Sequence, residues 1–257
     1  MAEYDNIADE YKASKQLPFR IYVERYTLFE LLGDVRGKNI LDLACGEGIY
    51  ARALEDKGAA KVVGVDLSSG MIDLAKQEEQ KNPRGIEYLV GNAAELGVVG
   101  SFDVVLGAYI LNYAKSASEL SQFCRSIYTN LKPGGRFVAI NDNPGHGREQ
   151  YPNYTAYGFT KSAPVPRKEG DAIQYTFFQE DGSSFSFDNF YLSEQTYEQA
   201  FKQAGFKSFA WHKPRLSPEG AAKFPKDFWA TFFEHPPIVA IAADRPGWHC
   251  QVVDLAS

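Results

Sequence analysis

Sulfur and imidazole are scarce in this chain of 257 residues: three cysteines, two methionines and four histidines. Cys45, Cys124 and Cys250 show neither the even framework of a disulfide-stapled protein nor the paired spacing of a zinc site. No metal is therefore expected, and a reducing, cytoplasmic setting is the simplest reading. Long apolar runs are absent as well, so no segment is long enough to cross a bilayer. The N-terminus is acidic and has no apolar stretch of the signal-peptide kind. A membrane partner is not expected. Basic charge is also short, with 27 Lys and Arg against 33 Asp and Glu and a net charge of −6. Without clustered Lys and Arg the chain is not expected to bind nucleic acid. There is no internal repeat and no low-complexity stretch. Apolar residues at 44% and aromatics at 14% suffice for one α/β core.

The informative segment is Asn39-Ile40-Leu41-Asp42-Leu43-Ala44-Cys45-Gly46-Glu47-Gly48, followed by Val62-Val63-Gly64-Val65-Asp66. The first part is a short apolar run closed by glycines, as in a strand covered on both faces. Ile49 to Lys57 follows with helical spacing and a stop at Gly58. Lys61 to Val65 is short and β-branched. A helix from Ser69 to about Gln80 is predicted next, capped by Ser68 or Ser69, with Met71, Ile72, Leu74 and Ala75 facing inward. Glycines at such a turn let a ligand approach the backbone, and an acid after the second strand is placed to bind ribose hydroxyls.

Two cofactor classes fit. Gly46-Glu47-Gly48-Ile49-Tyr50-Ala51 with Asp66 matches a loose dinucleotide fingerprint, and an NAD-dependent oxidoreductase is the alternative reading. Asp42, inside the first strand just before the turn, would repel a pyrophosphate. It would attract an ammonium or a sulfonium, which favours S-adenosylmethionine. A purely bracing role for Asp42 is the competing explanation.

These residues resemble the class I S-adenosylmethionine-dependent methyltransferases. Their first motif, acid-x-Gly-x-Gly-x-Gly, is matched by Asp42-Leu43-Ala44-Cys45-Gly46-Glu47-Gly48, with Ala44 in place of the first glycine. The resemblance makes Asp66 the ribose acid and places Leu67 and Met71 beside the adenine. Asn92 and Ala93, after a third strand at Ile86 to Val90, stand where the family usually has an acid for the adenine amino group. A fourth strand, Phe102 to Ala108, a helix ending at Leu131, the turn Lys132-Pro133-Gly134-Gly135 and a fifth strand, Arg136 to Ile140, complete the match over residues 39 to 141. Tyr4 to Tyr11 is similar to the opening of small-molecule methyltransferases. With Ile173 to Phe178 and Phe232 to Pro237, the whole chain is similar to toxoflavin-type and other small-heterocycle enzymes.

The expected fold is α/β: a doubly wound, Rossmann-like, mostly parallel seven-stranded sheet with an antiparallel last strand, an N-terminal helical cover and a β-hairpin insertion. Residues 1–245 form one domain in this reading, with the cover at 1–32, an irregular connection and hairpin at 142–192, and a tail at 246–257. The hairpin joins Ile173–Gln179 to Ser184–Leu192. Ser193 to Ala204 is a helix stopped by Gly205. Lys207–His212 and Pro237–Ala243 are the last two sheet strands.

Ligands of such sheets bind beyond the carboxyl ends of the strands. Ala108 and Cys45 therefore join the cofactor set, and the aromatic N-terminal segment supplies Tyr11 as a wall for the sulfonium. Arg20 is the candidate for the methionine carboxylate. Tyr4, Phe19, Tyr22, Tyr109, Asn112 and Asn141 are candidates for a small-molecule acceptor, enclosed by the N-terminal segment and the stretch after the fifth strand. His146 is the one candidate base, against the plainer reading of a loop histidine. The expected reaction is methyl transfer to nitrogen or oxygen of a small aromatic or heterocyclic acceptor, mainly by alignment. Carbon methylation of the quinone type and a binding module without turnover stand as alternatives.

Overall fold

The computed structural model describes residues 14–146, 150–179 and 181–247. Tyr4, Tyr11, Cys250 and most of the C-terminal tail lie outside the described residues. Seven strands form the main sheet: β1 (Asn39–Leu43), β2 (Lys61–Asp66), β3 (Glu87–Val90), β4 (Phe102–Ala108), β5 (Leu131–Asp142), β9 (Ser208–His212) and β10 (Ile238–Asp244). Their order is β3-β2-β1-β4-β5-β10-β9. β1 pairs in parallel with β2 and β4, and β10 runs antiparallel to β5 and β9. The order reverses at β1, and the crevice beside β1 and β4 is where such sheets bind ligands.

Period-two alternation divides β1 between two cores. Ile40 faces a core shared with the helices α1 (Arg25–Leu32) and α2 (Ile49–Asp56), and Leu41 and Leu43 face the core under α4 (Ala117–Asn130) and α5 (Glu194–Ala204). The same alternation turns Asp42 toward the side of Ile40.

Helix starts follow the sequence closely. Ser68 Oγ accepts the Met71 N–H to open α3 (Ser69–Lys81), and Ser193 Oγ accepts the Thr196 N–H to open α5. Gly205, at φ 99°, ends α5 in the left-handed conformation that glycine tolerates. Of the four residues expected on the inner face of α3, Met71, Ile72 and Ala75 are buried and Leu74 is half-buried.

Two features differ from expectation. β5 begins at Leu131, because Phe102 of β4 pairs with Leu131 and Val104 with Arg136. The Lys132–Gly135 turn is thus a bulge within the strand and not a break before it. The stretch read as irregular carries a further strand, β6 (Phe159–Ser162), which joins β7 (Ala172–Phe178) and β8 (Ser184–Phe190) in a three-stranded antiparallel sheet. The described part of the cover packs into the body. Phe19 and Tyr22 are 2% and 5% exposed, and Arg20–Glu24 winds as a π-helical turn into α1. Short helices α6 (Pro218–Lys223) and α7 (Ala230–Glu234) lie between β9 and β10.

The turn after β1 contains three left-handed residues, Ala44 (φ 56°), Gly46 (φ 56°) and Gly48 (φ 83°). Ala44 pays for its Cβ there, since an L-residue is disfavoured in this region by about 1–2 kcal/mol, offset in part by the chain entropy that glycine loses. Ala44→Gly is expected to raise the unfolding free energy by up to about 1 kcal/mol, read from the urea midpoint. A lower midpoint would show that the Ala44 methyl is needed for packing.

Candidate functional site

A cavity of about 480 Å³ opens at the carboxyl ends of β1, β2 and β4. Its lining includes Ala44, Gly46, Asp66, Leu67, Met71, Asn92, Ala93 and Ala108, all marked as cofactor residues from sequence. The Asp66 carboxylate accepts the Gly46 N–H at 2.8 Å and the Ser68 N–H at 2.9 Å, so it braces the glycine turn while standing on the cavity wall. Asn92 Oδ1 accepts the Ala94 N–H at 3.0 Å, which fixes the turn after β3. The opposite wall was not anticipated. It brings in Ile110, Lys115 and Phe123, and from the small sheet Asp188 and Phe190. Lys115 Nζ lies 4.7 Å from the centre of the Phe190 ring.

Asp42, Cys45 and Gly48 do not line this cavity. Cys45 turns its thiol into the body, and burial, with the charges of Asp42 and Asp66, pushes that thiol well up. Gly48 lies against the Tyr88 ring, which leaves no room for a Cβ. Asp42 is 1% exposed, and neither of its oxygens has a partner of hydrogen-bond geometry among the described residues. Burial, and then the charge of Asp66, push its carboxyl up to about 8, against the weaker pull of the Lys15 ammonium and the Ala51 N–H. An orphaned buried carboxyl directly behind the turn is what a cationic ligand portion would satisfy. With Asp66 on the cavity wall, the residues present fit S-adenosylmethionine.

Arg20 stands elsewhere than expected. Its guanidinium donates to Glu24 at 3.1 Å and stacks 5.2–5.3 Å from the rings of Phe19, Tyr109 and Phe177. Glu24 is fully buried and also accepts the hydroxyls of Tyr50 and Tyr109, each at 2.5 Å. Burial alone would raise the Glu24 carboxyl, but Arg20, Lys15 and the two phenols outweigh it and hold it below its ordinary value. This cluster ties the cover to α2 and to the exit of β4. There Tyr109 takes φ 69°, a left-handed geometry that a bulky residue adopts only when its surroundings fix it. Its N–H donates to Ile140 and its hydroxyl to Glu24, and these bonds fix it from both ends.

Beside the cavity is a second, narrow slot lined by Phe19, Arg20, Tyr109, Tyr113, Tyr175, Phe177, Phe187, Asn189 and Ile238. Phe19 and Tyr109 of the proposed acceptor residues meet there. The other described ones do not. Tyr22 packs on Phe224 and accepts from Lys223 Nζ at 2.8 Å. Asn112 Oδ1 accepts the Asp142 N–H at 3.0 Å, and Asn141 Nδ2 donates to the Tyr197 hydroxyl at 3.1 Å, so both amides clamp the ends of β4 and β5. Sequence showed Asn112 and Asn141 at strand exits, but not that the β5 backbone and Tyr197 of α5 would claim them.

His146 lines neither space. It is 6% exposed, with Nε2 3.1 Å from the Tyr154 hydroxyl, which itself donates to the His235 carbonyl. His146→Ala is expected to lower turnover less than about tenfold, whereas loss of a general base typically costs about 10²–10⁴-fold. A thousandfold loss together with a vanished pH limb near neutrality would make His146 the base. Among the described residues no group of His, Cys, Asp and Glu is arranged to hold a metal, and no helix is long and apolar enough to cross a membrane.

Residues 40–135 match the protein family described as "Methyltransferase domain". A demethylmenaquinone methyltransferase of Lactococcus lactis is 28% identical over 224 residues, 82% of each chain. A ubiquinone biosynthesis O-methyltransferase of Coxiella burnetii is 29% identical over 149 residues, 56% of this chain and 62% of that one. The solved structure of an S-adenosylmethionine-dependent methyltransferase from Mesorhizobium loti superposes with a TM-score of 0.64 at 18% identity, covering 90% of this chain and all of that one. Residues 40–135 thus form a methyltransferase domain, and with the motif on β1, the strand order and the cavity at the sheet's switch point the chain has the fold and the cofactor site of an S-adenosylmethionine-dependent methyltransferase.

Proposed function

We propose that this enzyme methylates a nitrogen or oxygen of a small aromatic or heterocyclic acceptor held in the aromatic slot. The observation that carries this reading is the adjacency of the two spaces. Ala108 lines the cavity and the next residue, Tyr109, lines the slot, and Tyr113 lines both. S-adenosylmethionine supplies an electrophilic methyl on a good leaving group. In this assignment Asp66 holds the ribose, and Leu67, Met71, Asn92 and Ala93 enclose the adenine. The turn at Ala44 and Gly46, with Asp42 behind it, receives the cationic end. Arg20 belongs to the slot wall, where its planar, paired guanidinium forms one side of a flat site.

Alignment then does most of the work. Holding two reactants in line contributes about 7–11 kcal/mol, and the rigid Tyr109 and Glu24 cluster supports that geometry. Among the described residues no histidine lines either space, which suits an acceptor that is already a good nucleophile or readily loses its proton.

The named relatives favour a second reading, methylation of a quinone-type ring at oxygen or carbon. Transfer of radiolabelled methyl from S-adenosylmethionine to matched panels of aza-heterocycles, phenols and demethylmenaquinone-type naphthols separates the readings. Turnover confined to the naphthols would replace the first by the second. The reading of residues 1–245 as one domain is supported by β10, which returns from the C-terminal part to lie between β5 and β9. The free, buried Cys45 and Cys124 support a reducing compartment.

A further inference from the structure

One residue of the slot breaks the pattern of its strand. On β8 the inward positions are Phe185, Phe187 and Asn189. Phe187 stacks on Tyr175 and Phe177, and Phe185 on Phe177. Asn189 occupies the next place in this aromatic row, opposite Ile173 of β7, which offers it no polar side chain. Asn189 is 2% exposed and lines the slot, and its Oδ1 is buried with no hydrogen-bond partner among the described residues. Buried polar groups are nearly always paired, and an amide left over in an apolar row is costly where a third phenylalanine or leucine would fit the pattern.

β8 also borders the cofactor cavity. Asp188 and Phe190 line that cavity, while Asn189 between them lines the slot. Strand alternation thus presents the amide to the slot at the place where β8 separates the two spaces.

We propose that Asn189 is a specificity-determining residue that reads one edge of a flat acceptor. This rests on the slot being the acceptor site. A carboxamide offers one acceptor and one donor side by side. It is complementary to a ring edge bearing an N–H next to a carbonyl or a ring nitrogen, as in a lactam or an aminoazine. The ring faces of Phe19, Tyr109, Tyr175, Phe177 and Phe187 hold the plane of such a molecule, but they leave it free to rotate within that plane. Two parallel hydrogen bonds to Asn189 fix the rotation, and so select which ring atom faces the transferable methyl. Asn189 positions the acceptor and takes no proton. In the described conformation the slot holds only about 10 Å³. Entry therefore requires the slot to widen; of its lining, Phe19 and Arg20 belong to the π-helical turn and its approach. Such turns inside helices occur frequently at functional sites.

The probes are isoquinolin-1(2H)-one and isocoumarin, a lactam and a lactone of the same shape that differ in the N–H. Their binding is measured by calorimetry on the full chain, saturated with S-adenosylhomocysteine, for wild type and Asn189→Leu. Wild type is expected to bind the lactam at least tenfold more tightly than the lactone. Asn189→Leu is expected to bind the two within threefold of each other, to bind S-adenosylhomocysteine as wild type does, and to melt no lower. A merely structural role for Asn189 would not change the lactam-to-lactone ratio. Equal binding of both probes by wild type, or an unchanged preference in Asn189→Leu, overturns the role of Asn189 and leaves the slot as the acceptor site. Binding of neither probe to the loaded wild-type protein overturns the acceptor slot itself, and the role of Asn189 with it.

Discussion

Asp66→Ala is expected to weaken S-adenosylmethionine binding by a factor of about 10²–10⁴. The carboxylate stands on the cavity wall at the end of β2. A carboxylate has about four acceptor positions, and two of them serve the Gly46 and Ser68 N–H groups. From the cavity wall the carboxylate also suits the two ribose hydroxyls. Hydrogen bonds to a charged group contribute about 1.5–3 kcal/mol each, and a pair gives the stated range. The substitution also removes both braces from the turn, so a somewhat lower melting temperature accompanies the loss. Asp66→Asn separates the two effects, since its amide oxygen still accepts and only the charge is gone. It is expected to fall between Asp66→Ala and wild type in affinity. Calorimetric titration of the three proteins, alongside their melting curves, tests this. Equal affinity in wild type and Asp66→Ala would remove Asp66 from the ribose.

Asp42→Asn is expected to remove a proton that cofactor binding otherwise releases. The carboxyl is raised to about 8 in the fold, chiefly by burial and secondly by Asp66, from an ordinary value of 3.8. Between these values the folded chain keeps a proton that the unfolded chain has lost. The contribution of Asp42 to stability is therefore complete below about pH 4. It declines as pH rises, by up to about 1.4 kcal/mol per pH unit, and is gone above about pH 8. Urea unfolding at pH 5, 7 and 9 should show wild type losing stability relative to Asp42→Asn as pH increases. A cation placed beside Asp42 reverses the preference and drives the proton off. Wild-type affinity for S-adenosylmethionine is then expected to rise with pH up to about 8, with close to one proton released per molecule bound at pH 7. Asp42→Asn should release none and bind at least tenfold more weakly at pH 8. Titrations in two buffers of different ionisation enthalpy count the protons. Identical proton counts in the two proteins would return Asp42 to a bracing role.

The segment from Asn39 to Asp66 was legible in the sequence because its signals are local. An apolar run, glycines that alone accept positive φ at low cost, a helical stripe and a β-branched run each declare themselves within a few residues. Ser68, Ser193 and Gly205 were readable for the same reason, since a cap is a contact between near neighbours. β6 was not, because four residues become a strand only through pairing with Thr176 and its neighbours on β7. The start of β5 was hidden in the same way, its extension depending on Phe102 across the ladder.

The site divides along the same line. The half of the cavity built by motif residues could be named from the chain alone. Asp188 and Phe190 could not, because a remote hairpin carries them there. Arg20 shows the converse: its type and place suggested a carboxylate ligand, and the fold supplied Glu24 four residues on, buried with it. The sequence by itself determined the first strands, the turn and the caps, since short-range backbone preference and alternation encode them, and it pointed to the cofactor through the motif's resemblance to a known family. Only the tertiary structure decided what faces the cofactor, which polar groups are claimed by neighbours and which, like Asn189 and Asp42, are left over. Hydrogen-bond satisfaction is settled between residues distant in sequence, once burial has removed water as the alternative partner.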